Sequence, residues 1–210
     1  LLHVINQSYP YHIITLEDPI EYLHRHDKSI VNQREIGSDS GSYGAALRAA
    51  LREDPDVILV GEMRDLETIS TAITAAETGH LVFSTLHTIG ADKTIDRIID
   101  VFPPDQQQQI RIQLAAVLEC VVSQQLIRKE HGGRVAALEV LFANNAVRNL
   151  IREGKTFQIP SVMQTSRRAG MITMDDALYD LFIRGEISQD AVVTYAQDPV
   201  AMNRKVNFEI

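Results

Sequence analysis

The sequence predicts an α/β fold, with a mostly parallel sheet followed by a small helical bundle. Short apolar runs alternate with helical segments up to residue 142, an order typical of parallel strands joined by helices. From Asn144 onward every predicted element is a helix, and glycines separate the helices. We therefore expect a core domain at residues 1–143 and a helical subdomain at residues 144–210.

The central predicted strand is Val57–Val60, an unbroken apolar run of mostly β-branched residues. Such a run fits a strand that is buried on both faces of a parallel sheet. It ends at Gly61, and Glu62 follows directly. Ligands in open α/β sheets bind beyond the carboxyl ends of the strands, where an acid is placed to hold a metal-bound water or to polarise a nucleophilic one. A strand that simply meets solvent at a charged turn explains this stretch equally well.

The other strands are predicted from similar apolar runs. His12–Glu17 ends in acids, and Pro19 places the end of this strand near Asp18 because proline cannot continue a central ladder. Ser29–Ile36 is more polar and is therefore expected nearer an edge. Two further strands are predicted at His80–His87 and, after a glycine turn, at Arg134–Phe142.

Helices are predicted where alanine, leucine and charged residues recur at helical spacing. A long helix from Asp105 to about Arg128 is predicted from the spacing of its apolar residues, which are Ile110, Leu114, Val117, Leu118, Val121 and Val122. The tail after Pro199 is expected to be loosely held. The remaining helices are predicted at 43–53, 65–78, 91–101, 144–153, 156–167, 173–184 and 188–195.

Charge, cysteine content and hydropathy argue against several classes of protein. The formal net charge of −8 argues against sequence-independent nucleic-acid binding, because such binding needs a basic face. The single cysteine, Cys120, excludes an internal disulfide and a cysteine-based zinc site. No apolar run approaches the ~20 residues that span a bilayer. The segment Leu1–Ile5 resembles the end of an amphipathic helix rather than a signal peptide, so we expect a fragment of a longer protein.

Ionisable or hydroxyl side chains follow three of the predicted strands: Glu17, Asp18 and Glu21; then Glu62; then Ser84, Thr85 and His87. Because parallel strands end at one edge of a sheet, these groups are expected to converge on a single crevice. Carboxylates, hydroxyls and an imidazole together suit the activation of water beside a hard cation. Each residue alone has an ordinary explanation, since an isolated histidine is more often buried and an isolated surface glutamate is solvated. The repeated placement favours a functional crevice.

Ile13–Glu21, Asp56–Asp65 and Thr78–Thr88 resemble, in this order, the aspartate box, the Walker B segment and the histidine box of the secretion ATPase superfamily. Ala146–Lys155 is similar to a segment characteristic of the type IV pilus retraction (twitching motility) ATPases. The resemblance covers nearly the whole chain.

The resemblance implies a RecA-like core in a ring, usually a hexamer, that hydrolyses ATP with Mg²⁺ to drive pilus disassembly. The implied location is cytoplasmic, at the inner face of the cytoplasmic membrane and beside the pilus inner-membrane platform protein. No direct contact with nucleic acid is implied. Glu62 would act on magnesium, directly or through water, or on the attacking water. Glu17 would be the better candidate for the general base, although family members are interpreted both ways.

Four other residues would complete the site by the same resemblance. Glu21 would support it, Asp18 would cap or orient, and His80 and His87 would sense or contact the γ-phosphate. No Gly-x-x-x-x-Gly-Lys-[Ser/Thr] phosphate loop occurs in the 210 residues, and the nearest match, Gly37–Ser42, lacks the lysine. Because that loop holds the β- and γ-phosphates, we expect this chain by itself to be inactive as an ATPase.

Other interpretations remain open. The lack of a four-cysteine zinc element favours a retraction ATPase over a pilus assembly or type II secretion ATPase, which is the first alternative. The second alternative is an assembly module with an incomplete site that hydrolyses nothing. The helix predicted at 144–153 either faces neighbouring subunits or the pilus platform, or has an ordinary packing face. In that second case Val147, Leu150 and Ile151 would be packed, and Arg148, Arg152 and Lys155 would be solvated.

Overall fold

A computed structural model of the protein describes residues 1–208. The strands are β1 (His12–Glu17), β2 (Ile30–Glu35), β3 (Val57–Val60), β4 (Leu81–Ser84), β5 (Cys120–Arg128) and β6 (Arg134–Phe142). The helices are α1 (Leu2–Ser8), α2 (Tyr43–Ala50), α3 (Leu66–Glu77), α4 (Ala91–Asp100), α5 (Pro104–Val117), α6 (Asn145–Arg152), α7 (Ile159–Thr165), α8 (Met174–Ile183), α9 (Gln189–Tyr195) and α10 (Pro199–Phe208). Short 3₁₀ turns lie at Thr156–Gln158 and Arg167–Ala169. The predicted α/β fold with a helical carboxyl-terminal part is confirmed.

The chain divides into two compact units. One comprises Leu1–His87 with Val101–Pro103, and the other comprises Thr88–Asp100 and the chain from Pro104 onward. This division falls at a different place in the chain from the boundary expected at residue 143, which stays a prediction. The first unit holds the parallel sheet and the strand ends at which a crevice is expected.

The parallel sheet of the first unit has the order β2-β1-β3-β4. Its central strands are buried on both faces, as the apolar run of β3 predicts. Ile14 and Ile58 belong to an apolar cluster with buried residues of α2 and α3. Ile13 and Val57 form a second cluster with partly buried residues of α1. The more polar strand β2 lies at an edge, which confirms its predicted position.

In the second unit, the long helix predicted from Asp105 to about Arg128 is wrong in its second half. Helix α5 ends at Val117, and β5 then pairs antiparallel with β6. Burial alternates along β5, where Val121 and Ile127 are buried and Leu126 is exposed. This two-residue period is that of a strand with one face packed on a core, and apolar residues at helical spacing do not exclude it.

The sequence predicts a loosely held tail after Pro199, and this prediction is also wrong. Residues up to Phe208 form α10, whose Met202 and Val206 are buried in an apolar cluster with residues of α8. The carboxylate of Asp175 accepts hydrogen bonds from the two backbone N–H groups that precede the helix, at 2.6 and 3.1 Å. Packing and capping therefore hold this segment. The rest of the predicted tail, residues 209–210, lies outside the described residues.

Glu139 on β6 joins the beginnings of two helices in the second unit. Its side chain is buried, with the residue 3% exposed. One carboxylate oxygen accepts from the backbone N–H of Ala91 at 2.6 Å, and the other from that of Met174 at 3.0 Å. Each donor is the first residue of its helix, where backbone N–H groups lack a partner within the helix. Burial raises the pKa of the Glu139 carboxyl, and the charges of Asp92 and Asp175 raise it further.

Helix α6 has the packed face that its spacing predicts, but one of its cations is not solvated. Val147 and Ile151 are fully buried. The Arg148 guanidinium donates to the carbonyl oxygens of Ala115 and Ala116 at 2.7 and 2.8 Å. It also pairs with the carboxylate of Glu119, just after α5. These carbonyls belong to the last turn of α5, so the arginine caps that helix at the end where cations are favoured. Arg152 is exposed, as the packing interpretation expects.

Candidate functional site

The carboxyl ends of β1, β3 and β4 meet at one edge of the parallel sheet. The register pairs Leu16 with Val60 and Val60 with Ser84. Beyond the strands, the Gly61 N–H donates to the Leu16 carbonyl at 2.7 Å, and the Thr85 hydroxyl donates to the Gly61 carbonyl at 2.5 Å. These bonds hold together the segments that carry the predicted site residues.

Glu62 and His87 are in contact at this edge. The Oε2 atom of Glu62 lies 3.5 Å from Nε2 of His87 and 2.7 Å from a guanidinium nitrogen of Arg64. The Glu62 side chain is only 17% exposed, whereas those of His87 and Arg64 are each 72% exposed. The carboxylate is thus set into the edge, and the groups that contact it face outward.

Side chains of β1 and β2 donate hydrogen bonds to the Glu17 carboxylate. Its Oε1 atom accepts from the Thr15 hydroxyl at 2.6 Å and from the Gln33 side-chain amide at 3.0 Å. Thr15 is fully buried, and it lies directly opposite Gln33 in the pairing of β1 with β2. Two donors on one oxygen fix the orientation of the carboxylate. Its other oxygen has no hydrogen bond from the residues that the structure describes.

Tyr43 also lies at this edge of the sheet, near Glu62 and Asp18, and was not among the predicted site residues. Burial raises the pKa of its hydroxyl, and the negative charges of Glu62 and Asp18 raise it further. The hydroxyl oxygen lies 3.0 Å from the point that a Cβ on Gly61 would occupy, so the glycine makes room for it. One feature of the sequence points to this residue, since the helices that follow parallel strands begin at the ligand-binding edge.

The other predicted site residues differ in position. Asp18 follows Glu17 and is exposed, and Glu21 is exposed on the loop after β1. His80 lies at the opposite end of β4 from His87, because it directly precedes the strand. Its ring Nδ1 is 2.9 Å from the Ala75 carbonyl. The structure therefore brings Glu17, Glu62 and His87 to one edge, and it does not bring His80 there.

His80 instead lines a separate cavity of about 390 Å³ at the beginnings of the strands, together with Tyr11, Asp54 and Asp56. Among residues 1–208, no group of three or more histidine, cysteine or acidic side chains is arranged to hold a metal ion by itself.

Known proteins are similar to this chain over most of its length. Residues 1–181 match the family described as "Type II/IV secretion system protein". The chain is 54% identical to the "Twitching motility protein" of Neisseria gonorrhoeae over 204 residues, which are 97% of this chain and 54% of that protein. It is 52% identical to the "Type IV pilus retractation ATPase PilT" of Pseudomonas aeruginosa over 199 residues, 95% of this chain and 58% of that protein.

A crystal structure of the pilus retraction motor PilT with bound ADP has the same fold. The TM-score is 0.90 at 55% identity, covering 97% of this chain and 57% of that one. The chain thus spans about half the length of the relatives it matches. With more than half of its residues matched by the family, the chain belongs to the type II/IV secretion system protein family.

Proposed function

We propose that this chain is the carboxyl-terminal part of an ATP-hydrolysing motor that retracts type IV pili. The observation that carries the proposal is the contact of Glu62 with His87, at 3.5 Å, on the sheet edge where Glu17 also ends a strand. Acids and an imidazole at that edge suit the hydrolysis of a phosphoanhydride by an activated water. The identity of 52–54% to proteins named for twitching motility and pilus retraction supports the direction of the motor.

In the proposed mechanism, Glu17 is the general base that takes a proton from the attacking water. Its Oε1 atom is occupied by two donors, which leaves Oε2 for a water. Glu62 would hold Mg²⁺, directly or through water, and His87 would contact the γ-phosphate. Glu62 as the base is the alternative. Asp18 and Glu21 would support the site from the loop after β1.

The proposed contact of His80 with the γ-phosphate of this same site gains no support from the geometry. His80 precedes β4, whereas His87 follows it. A His80→Ala change should therefore affect turnover less than His87→Ala. Similar losses of turnover for the two changes would contradict this reasoning and restore His80 to the site.

The residues at the edge fit a magnesium ion that is delivered with a nucleotide. Mg²⁺ keeps several waters and is usually bound by one or two carboxylates together with substrate phosphates. Glu62 offers such a carboxylate at the sheet edge, where its side chain is 17% exposed. When bound, the ion neutralises charge on the phosphates. The phosphate loop that would cradle them does not occur among the 210 residues.

The decisive experiment measures ATP hydrolysis by the chain extended to the length of its relatives, with Mg²⁺ present. Glu17→Gln should lower turnover by about 10²–10⁴-fold, the range for loss of an acid or base that acts in the transition state. Glu62→Gln should also lower turnover, because an amide binds Mg²⁺ less well than a carboxylate does. Glu130→Gln, at an exposed glutamate of the β5–β6 turn, is the matched control. The 210-residue chain alone should show no turnover. Retention of turnover by both acid variants would refute the proposed site.

The proposal also includes a homo-oligomeric ring, usually a hexamer, at the cytoplasmic face of the membrane beside the pilus platform protein. Among residues 1–208, no helix combines the length and the apolar character that crossing a bilayer requires.

Deletion of the gene separates a retraction ATPase from an assembly or secretion ATPase. Retained surface pili without twitching indicate retraction, whereas loss of pili or of secretion indicates an assembly or secretion ATPase. A non-hydrolysing module would show no turnover at full length.

A further inference from the structure

The side-chain amide of Gln33 connects a predicted catalytic acid to the loop that follows it. Its Nε2 atom donates to Glu17 Oε1 at 3.0 Å and to the Tyr22 carbonyl at 2.9 Å, and its Oε1 atom accepts from the His24 N–H at 2.7 Å. The backbone partners fix the orientation of the amide, because a carbonyl only accepts and an N–H only donates. Both amide hydrogens and the oxygen are therefore used.

A second residue of β2 holds the same loop. Glu35, two positions along the strand and so on the same side as Gln33, accepts from the Ile20 N–H at 3.0 Å. The loop segment between these attachments carries Glu21, the second predicted acid of this region. The edge strand thus fixes the loop at both ends, and Gln33 alone also reaches the carboxylate of Glu17.

We propose that Gln33 is a positioning residue of the hydrolytic site, which holds the Glu17 carboxylate and the loop of Glu21 in one fixed relation. This role depends on the proposed function. Gln33 of β2 reaches Glu17 of β1 because it is the register partner of Thr15. Thr15 and Gln33 therefore donate to the same oxygen of Glu17. Removal of the amide leaves Glu17 with one donor and removes the attachments of the loop at Tyr22 and His24.

Two substitutions separate the parts of this role. Gln33→Glu keeps an oxygen for the His24 N–H, but it replaces the donor to Glu17 by a second carboxylate at about the same place. Gln33→Met removes both donor and acceptor at similar size. Gln124→Glu makes the same charge change at an exposed glutamine of β5 and serves as the matched control.

In the chain extended to the relatives' length, Gln33→Glu should lower kcat for ATP hydrolysis about tenfold or more, because the second carboxylate repels that of Glu17 and removes one of its two donors. KM should stay within about threefold, because the change acts on the base and not on nucleotide binding. Gln33→Met should also lower kcat, and Gln124→Glu should leave kcat within about twofold. Hydrogen exchange at the His24 amide should speed up in Gln33→Met and stay slow in Gln33→Glu. A change that only destabilised the fold would not separate the two variants in this way.

Unchanged kcat in both Gln33 variants, or a rise in KM alone, would overturn the positioning role while the proposed ATPase function stands. If the unsubstituted extended chain hydrolyses no ATP, the proposed function fails and the catalytic role of Gln33 fails with it. Hydrogen exchange then still reports whether the amide holds the loop. Thermal unfolding of each variant identifies misfolding, and Gln33→Met, which adds no charge, decides the question if Gln33→Glu does not fold.

Discussion

Replacing Glu139 by alanine tests whether one buried carboxylate holds the beginnings of two helices. The change leaves the N–H groups of Ala91 and Met174 buried without their acceptor. Each buried donor that loses its partner costs about 1–3 kcal/mol, so the free energy of unfolding should fall by about 2–6 kcal/mol. That loss is a large part of the roughly 5–15 kcal/mol that stabilises a typical domain. Glu130→Ala, at an exposed glutamate, should change the free energy by less than about 0.5 kcal/mol.

Urea unfolding followed by circular dichroism measures the loss, and hydrogen exchange of peptides from α4 and α8 localises it. The local measurement is needed because the chain has two compact units, which need not unfold together. A loss no larger than that of the Glu130 control, with unchanged exchange at both helix starts, would refute the reasoning. The two hydrogen bonds would then contribute nothing measurable to stability.

The same carboxyl makes stability depend on pH in a defined direction. Burial raises the pKa of Glu139 in the folded chain above its unfolded value of about 4.3. A group whose folded pKa is raised contributes stability that is present below the unfolded pKa and is lost as the pH rises through the folded pKa. The free energy of unfolding should therefore fall, relative to the non-titrating Glu139→Gln, as the pH rises above about 4.3. A difference that is constant or grows with pH would contradict this.

Three further substitutions test other contacts by the same unfolding measurement. Gly61→Ala should lose about 1–3 kcal/mol, because its Cβ would lie 3.0 Å from the backbone carbonyl oxygen of Leu16, closer than an ordinary van der Waals contact. Gly41→Ala, with no atom within 4 Å, should be neutral or slightly stabilising. Arg148→Ala should lose about 1–3 kcal/mol through the uncapped end of α5, and the exposed Arg152→Ala should lose less than about 0.5. Met202→Ala should lose about 2–4 kcal/mol by opening a cavity in the core, and no loss would mean that the helix does not pack as described.

The edge that carries the site was predictable because its signals are local in sequence. A strand buried on both faces needs a continuous apolar run, and Val57–Val60 is one. Parallel direction then places whatever follows such runs at one edge. The contact of Glu62 with His87 follows from this logic. The same logic does not extend to His80, because a residue that precedes a strand lies at the other edge.

The strand β5 was missed because its defining partner is distant in sequence. Val117 and Val121 fit helical spacing, yet Val121 pairs with Leu141 across a turn. A short apolar stretch gives the same pattern for a buried helix and for a strand, and pairing decides between them. The adjacent β-branched residues Val121 and Val122 are a local sign of a strand. The tail was missed for a similar reason, because the core that buries Met202 is assembled from other helices.

The two central acids of the site are held in physically different ways, and this bears on their roles. The donors to Glu17 come from buried Thr15 and half-buried Gln33, so its orientation is fixed before any ligand arrives. The partners of Glu62 are side chains that are each 72% exposed, which a phosphate or a hydrated cation can displace at little cost. A general base gains from a fixed orientation, because its proton transfer needs a short, aligned contact. A ligand for a cation that enters with the substrate must instead exchange partners, and this asymmetry supports Glu17 as the base and Glu62 as the magnesium ligand in the mechanism we propose.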